Sequence, residues 1–255
     1  MFNKGSHSIG HLNNVKDERY VLVFDFETTG LPKDNWADFE PYPTIKKGKE
    51  SNPEDWPHAV QFSYVLYDTH ENTAKIVNEV IRLPDGVSIS PGSEAIHKIS
   101  IEKSRAAKYE IGDLLPTFME DFRKADVIVA HNIRFDRNVM LAELSRLHEQ
   151  VFQDFMREFY NNKKEYCTGN YGADECKMEA TNKAGRKYYK MPKLNVLYEK
   201  MFQNSPAEDK LHDAFVDVVV CLRCFYKMRY KMDLYQDPHV DPIIVKCINY
   251  ISPEK

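Results

Sequence analysis

The stretch VLVFDFETTG, Val21 to Gly30, decides how the rest of the chain is read. Its first half is apolar, aromatic and β-branched in close succession, the composition of a buried strand. Asp25 and Glu27 then interrupt it. Side chains alternate along a strand, so residues i and i+2 share a face. Two carboxylates therefore lie side by side at the end of a core strand. Like charges this close repel, and burying them is costly. A hard divalent cation held between them, such as Mg2+, removes that cost; an exposed strand end with two solvated acids avoids it altogether. Thr28, Thr29 and Gly30 close the stretch with small residues that let a ligand approach the backbone.

Composition narrows the classes of function. A chain of 255 residues fits one large domain or two small ones. With 42% hydrophobic and 29% charged residues it has the make-up of a globular protein with a core. The formal net charge of −4 excludes a uniformly basic nucleic-acid coat, so any nucleic-acid contact must come from local patches. Five scattered cysteines, an odd number, suggest reduced thiols and an intracellular setting, cytoplasmic or nuclear. The first twenty residues carry no apolar run of the signal-peptide kind, and no stretch reaches the ~18 apolar residues of a membrane span. No membrane association is expected.

Outward from Val21–Gly30, Tyr20–Phe26, Val60–Tyr67 and Ala74–Leu83 read as an antiparallel meander. Asp126–Ala130 reads as a short buried strand, and a further short strand is expected near Tyr166–Thr168. Helical periodicity marks Ile111–Lys124, the segment from Ile133 with Val139, Leu141, Leu144 and Leu147 as core positions, Lys193–Phe202, and HDAFVDVVVCLRCFYKMRYK. The last is apolar nearly all round, the mark of a deeply packed helix. Asp217 lies inside it and needs a partner. In regular helix His212 would sit about 140° from Asp217, so His212 is placed just before the helix, on a turn. Pro84–Ser100 reads as loop, and DPIIVKCINYI as a short terminal helix.

The expected organisation is a flexible arm over residues 1–17, a domain over 18–232 and a packed C-terminal extension over 233–255. Two irregular insertions, around residues 32–57 and 169–192, interrupt the domain. The first holds five prolines and both tryptophans, Trp36 and Trp56, which either pin the loop or stack on a substrate. Asn161–Lys193 is polar, with eight basic residues against four acidic. Its KAGRKYYKMPK part, Lys183–Lys193, has five basic residues, no acids, and Tyr188 and Tyr189 between them. Such a segment can track phosphates while its rings stack on bases, or it can simply be a solvated loop.

Asp25, Glu27, Asp136, His212 and Asp217 each have a bland role singly: Asp136 as a favourable charge in a first helical turn, His212 as a helix-start residue. In order and context they resemble the DEDDh 3′-to-5′ exonuclease family. The carriers are FDFETTGL, HNIRFD and HDAFVD, with weaker support from Gln61, AIHKI (Ala95–Ile99) and KLNVLY (Lys193–Tyr198). The likeness spans Tyr20 to Tyr230. Three features depart from it: a longer loop after the first motif, Lys98 where glycine is common, and the basic stretch.

The resemblance implies an α/β, RNase H-like fold with a mixed five-stranded sheet flanked by helices. It implies Asp25, Glu27, Asp136 and Asp217 as ligands of two ions, Mg2+ or Mn2+, with Asp25 bridging and Asp136 supporting the second ion. His212 would be the general base. Thr28, Thr29, Leu31, Ile96, His97 and Asn132 would contact the terminal nucleotide. The expected reaction is hydrolysis of single-stranded or frayed DNA to nucleoside 5′-monophosphates. Trimming of RNA 3′ ends and an inert nucleic-acid-binding module on the same fold are the alternatives. The implied partners are nucleic acid with a free 3′ end and a DNA polymerase or a replication or repair complex. Cys221 and Cys224 form a Cys-x-x-Cys without a second pair to complete a zinc site, and are read as core packing.

Overall fold

The alternation of β1 (Tyr20–Thr28) divides the protein into two halves. The computed structural model describes residues 18–33, 38–39, 52–207 and 213–252. The arm over 1–17, Trp36, much of the first insertion and His212 lie outside the described residues. β1 is the middle strand of a five-stranded sheet in the order β3-β2-β1-β4-β5. The other members are β2 (Ala59–Asp68), β3 (Thr73–Val80), β4 (Val127–Ala130) and β5 (Lys164–Cys167). β1, β2 and β3 pair antiparallel, whereas β4 runs parallel to β1 and β5 parallel to β4. Parallel neighbours need a long crossover, supplied before β5 by α4 (Ile133–Leu147) and α5 (Glu149–Asn162). This is the mixed, RNase H-like α/β architecture expected from the sequence.

Leu22, Phe24 and Phe26 point into a core built with α3 (Ile111–Lys124), α4 and α5. That core is rich in rings: Phe26 stacks on Phe62 at 4.5 Å, and Phe122 on Phe155 at 4.6 Å. Val21 and Val23 point the other way, under α8 (Ala214–Tyr230), with α7 (Leu194–Phe202) and α9 (Pro242–Ile251) joining the same core. Sandwiched in this way, α8 buries even Arg223, which holds Asp233 at 2.8 Å. Because Asp25 and Glu27 follow Val21 and Val23 on the alternation, they face the α8 side.

Several elements differ from the reading of the sequence. Pro84–Ser100 is not all loop: Ser90 accepts a hydrogen bond from the Ser93 N–H and starts α1 (Pro91–His97), with Pro91 in the first turn. A second short helix, α2 (Ile101–Arg105), follows. The second insertion is ordered rather than irregular. It contains α6 (Thr168–Cys176) and a hairpin of β6 (Glu179–Thr181) and β7 (Lys187–Tyr189). Two glycines disguise α6, since glycine disfavours helix interiors. Tertiary packing is close at both: a Cβ at Gly169 would lie 2.5 Å from the Met191 sulfur, and one at Gly172 would lie 3.0 Å from Leu197. Leu147 is 48% exposed at the end of α4, whereas Val139, Leu141 and Leu144 are buried as expected. Trp56 is 3% exposed, with Phe135 beside it, so it pins its loop. Among the described residues no helix is long and apolar enough to cross a membrane.

Candidate active site

The carboxyl ends of the parallel strands β1, β4 and β5 lie at one edge of the sheet, the usual place for a ligand site in such an arrangement. At that edge Asp25 and Glu27 from β1 meet Asp217 from the first turn of α8. Each offers a carboxylate oxygen within 4.8 Å of the others. Asp136, in the first turn of α4, is buried and accepts a hydrogen bond from the Phe26 N–H at 3.2 Å. It therefore grips the backbone between the two β1 acids. A register shift in the β1–β2 pairing falls between Glu27 and Thr28. Such bulges re-aim side chains next to functional sites.

Electrostatics make this cluster unhappy on its own. Burial, then the charges of Asp136, Asp217 and Glu27, push Asp25 well above the usual carboxylate range. Burial and Asp217 push Glu27 up to about 9. Burial and Asp213 bring Asp217 to about 7. Burial raises Asp136 as well, against the backbone N–H groups it accepts from. Asp25, Glu27 and Asp217, with Asp136 beside them, form a donor set of oxygens. That chemistry fits a hard divalent ion.

Reading the sequence missed Asp213. It caps α8 by accepting from the Phe215 N–H at 2.9 Å, and it lies near enough to act on Asp25, Glu27 and Asp217. Gln61, opposite Glu27 on β2, ties this helix start to the sheet. Its Oε1 accepts from the Ala214 N–H at 3.3 Å, while its Nε2 donates to Asp213 at 3.3 Å and to Asn78 at 2.9 Å. Ser63 donates to the same Asn78 oxygen at 2.7 Å. A signal was available: Gln61 and Ser63 are polar at i and i+2 in an otherwise apolar strand, on the face of Glu27 and Asp25.

The expected substrate residues lie at and just past the end of β1, in α1 and at the turn into α4. Thr28 and Thr29 are buried. The Thr28 hydroxyl donates to the Gly30 carbonyl at 2.8 Å, and the Thr29 hydroxyl accepts from the His58 N–H at 3.0 Å. The Ser90 N–H donates to the Thr29 carbonyl at 2.8 Å, which docks the start of α1 on the end of β1. Leu31 and Ile96 are left 84% and 52% exposed, apolar side chains without cover. His97 is buried. Its Nδ1 accepts from the Ile99 N–H at 3.0 Å, so its proton belongs on Nε2. That Nε2 makes no well-formed hydrogen bond, although the nearby Thr28 backbone favours its proton; burial wins and lowers the ring's pKa. Asn132, exposed and left-handed at φ 63°, turns the chain from β4 into α4. Cys221 and Cys224 are buried in the core, as expected of packing residues.

Sheet order and an acidic centre at the end of the middle strand define the class, an RNase H-like domain with a cluster of carboxylates. The sequence matches the RNase_T family of exonucleases over residues 22–225, from β1 through most of α8, and the chain belongs to that family. Among solved structures it is similar to Exonuclease I without ligand, at 17% identity and a TM-score of 0.55, over 84% of this chain and 43% of that one. It is also similar to E. coli Exonuclease I in complex with a dA16 oligonucleotide, at 17% identity and a TM-score of 0.55, over 83% and 41%. A moderately thermophilic Exonuclease I from Methylocaldum szegediense gives 16% identity and a TM-score of 0.53, over 83% and 41%. At such identities the likeness is one of fold. The chain spans less than half the length of these structures, 41–43% of each. No curated protein sequence matches it.

Proposed function

We propose that the protein is a metal-dependent 3′-to-5′ exonuclease that releases nucleoside 5′-monophosphates from single-stranded DNA ends. The observation that carries the reading is the convergence of Asp25, Glu27 and Asp217, with Asp136 behind them, in a setting that raises all four carboxyls. Single-stranded DNA is favoured because the E. coli Exonuclease I structures include complexes with dA16 and dT13 oligonucleotides.

Asp25, Glu27 and Asp217 would hold a divalent ion, Mg2+ or Mn2+. With Asp136 beside them, they would serve a two-ion centre. When bound, such ions neutralise phosphate charge and make bound water acidic enough to attack at neutral pH. His212 takes the proton of the attacking water, a task suited to an imidazole of ordinary pKa near ~6.5. Gln61 and Asp213 set the start of α8, and His212 directly precedes Asp213 in the sequence. The Thr28 and Thr29 backbone borders the terminal nucleotide and Asn132 supports its 3′ side. The exposed Leu31 and Ile96 wedge against its base, and His97 offers its Nε2 proton to the sugar.

Matched DNA and RNA oligonucleotides, single- and double-stranded and labelled at the 5′ end, test the reading with the full chain in Mg2+ and in chelator. Stepwise shortening from the 3′ end of single-stranded DNA is expected, with mononucleotides released, none in chelator, and none from Asp25→Ala or His212→Ala. Unchanged digestion by Asp25→Ala overturns the metal-centred mechanism. Binding in chelator with no digestion in either ion would make the protein an inert binding module.

A further inference from the structure

The β6–β7 hairpin lies outside the acidic centre, and the proposed reaction makes no use of it. Its turn is well built. The Gly185 N–H donates to the Asn182 carbonyl at 2.9 Å, and the Asn182 side chain accepts from the Ala184 and Arg186 N–H groups at 3.0 and 2.9 Å. Gly185 has φ +74°, which glycine alone adopts at little cost. This is a three-residue hairpin connection closed by a left-handed glycine. The ribbon holds its shape while every residue from Thr181 to Lys190 is exposed. A two-stranded hairpin with no core adds little to the stability of a fold.

Its side chains are arranged for a polyanion. Lys187 pairs with Glu179 at 3.4 Å, but Lys183, Arg186, Lys190 and Lys193 make no ion pair among the described residues. Tyr188 pairs across the ribbon with Ala180 and Tyr189 with Glu179, so successive rings point to opposite faces. They are 50% and 43% exposed, and neither stacks on another ring among the described residues. Cations interleaved with bare aromatic rings suit a flexible strand that carries phosphates and unpaired bases. An acidic protein segment would use the charges and leave the rings idle.

The root of the hairpin ties it to the site. His131 directly follows β4 and precedes Asn132; its ring sits 3.0 Å from the Pro192 carbonyl and 3.0 Å from the Thr168 hydroxyl. A carbonyl can only accept, so Nε2 donates to Pro192, while burial lowers the ring's pKa. Met191 and Pro192 lie over the glycine face of α6. The arm thus starts one residue from the turn into α4, whose first turn carries Asp136. From Pro192 to the turn it reaches roughly 20 Å at ~3.3 Å per residue, long enough to follow several nucleotides.

We infer that the β6–β7 hairpin is a strand-holding arm for single-stranded nucleic acid. Lys183, Arg186, Lys190 and Lys193 contact phosphates, and Tyr188 and Tyr189 stack on bases, in the part of the strand that leads away from the 3′ end. The inference rests on the exonuclease reading for that direction. Because the acids repel phosphate, a basic arm beside them supplies the attraction that the centre itself lacks.

Fluorescent oligo(dT) of four and of sixteen nucleotides, titrated with the full chain in chelator, tests the arm without cleavage. For the wild type the longer strand binds more tightly. K183A/R186A/K190A is expected to weaken the longer strand at least tenfold, to narrow the gap between lengths, and to reduce the slope of log affinity against log salt by about 2, at ~0.7 per lost phosphate contact. Y188A/Y189A weakens the longer strand about tenfold or more with the slope kept. Both variants leave the fold's cores untouched, and a melting curve checks this. Wild-type affinity for the longer strand in both variants overturns the inference. Digestion of the same strand by the wild type in Mg2+ is scored separately. Loss of digestion alone sinks the exonuclease reading and leaves strand-holding standing, whereas digestion with unaltered binding by both variants sinks only the arm.

Discussion

Asp217→Asn removes one of the three acids that converge at the end of β1, and it should make the metal-free protein more stable at pH 8. Asp217 is pushed from 3.8 to about 7 by burial and by Asp213. Ionising it in the folded chain at pH 8 therefore costs about 4 kcal/mol more than in the unfolded chain, at 1.36 kcal/mol per tenfold change. Local relaxation and entering water relieve part of this, so a net gain of about 2 kcal/mol is expected, which for a chain of this size is about 4–8 °C in Tm. The amide keeps the shape of the carboxylate and can donate to Asp25 or Glu27. The sign with pH follows from proton linkage. The folded chain holds a proton that the unfolded chain has already released, so stability is lost as pH rises from about 4 through 7 for Asp217, and on towards 9 for Glu27. The advantage of the variant is accordingly small near pH 4 and full by pH 8. Urea unfolding of both proteins in chelator at pH 5, 6.5 and 8 measures it. A variant that is no more stable than the wild type at pH 8, or an advantage that shrinks as pH rises, would refute the reasoning.

Three further outcomes are expected. Mg2+ or Mn2+ should raise the Tm of the wild type at pH 8 and raise it less at pH 5, where protons already occupy the carboxylates; Asp25→Asn should lose most of the rise, as read by differential scanning fluorimetry. Gln61→Leu should lower kcat on an oligonucleotide roughly tenfold with little change in KM, because it frees the Ala214 N–H and Asp213 at the start of α8 without touching substrate; steady-state kinetics separate the two constants. Trp56→Ala should cost about 3–5 kcal/mol in urea unfolding, the usual range for emptying a buried tryptophan site, since the ring lies in the core at 3% exposure; a loss near zero would mean that the loop is not pinned there.

What could be read locally was read well. Period-2 alternation in Val21–Glu27 fixes which side chains face which side of the sheet, and it set Asp25 and Glu27 together before any packing was known. The ring-rich stripe of α3 and the all-round apolar character of α8 likewise announced their depth. Short elements were not legible in this way. α1 has seven residues, too few for a periodic signal, and α6 carries two glycines that weigh against helix until Met191, Pro192 and Leu197 are seen against them. Trp56 could pin a loop or stack on substrate by sequence, and only its burial between elements decided the matter.

The sequence by itself determined that four acids would be carried by one strand end, one helix start and a late buried helix, because those positions follow from side-chain alternation and helical periodicity. Tertiary structure alone decided how they meet. Asp136 reaches Phe26 across 110 residues, and Gln61 reaches Asp213 across 152. No local pattern specifies a contact of that separation; it exists because the sheet brings the ends of β1 and β4 to one edge and α8 lies across the same face. The raised carboxyls of Asp25, Glu27 and Asp217 belong to that second category. Desolvation and mutual repulsion arise only once the chain has closed around them.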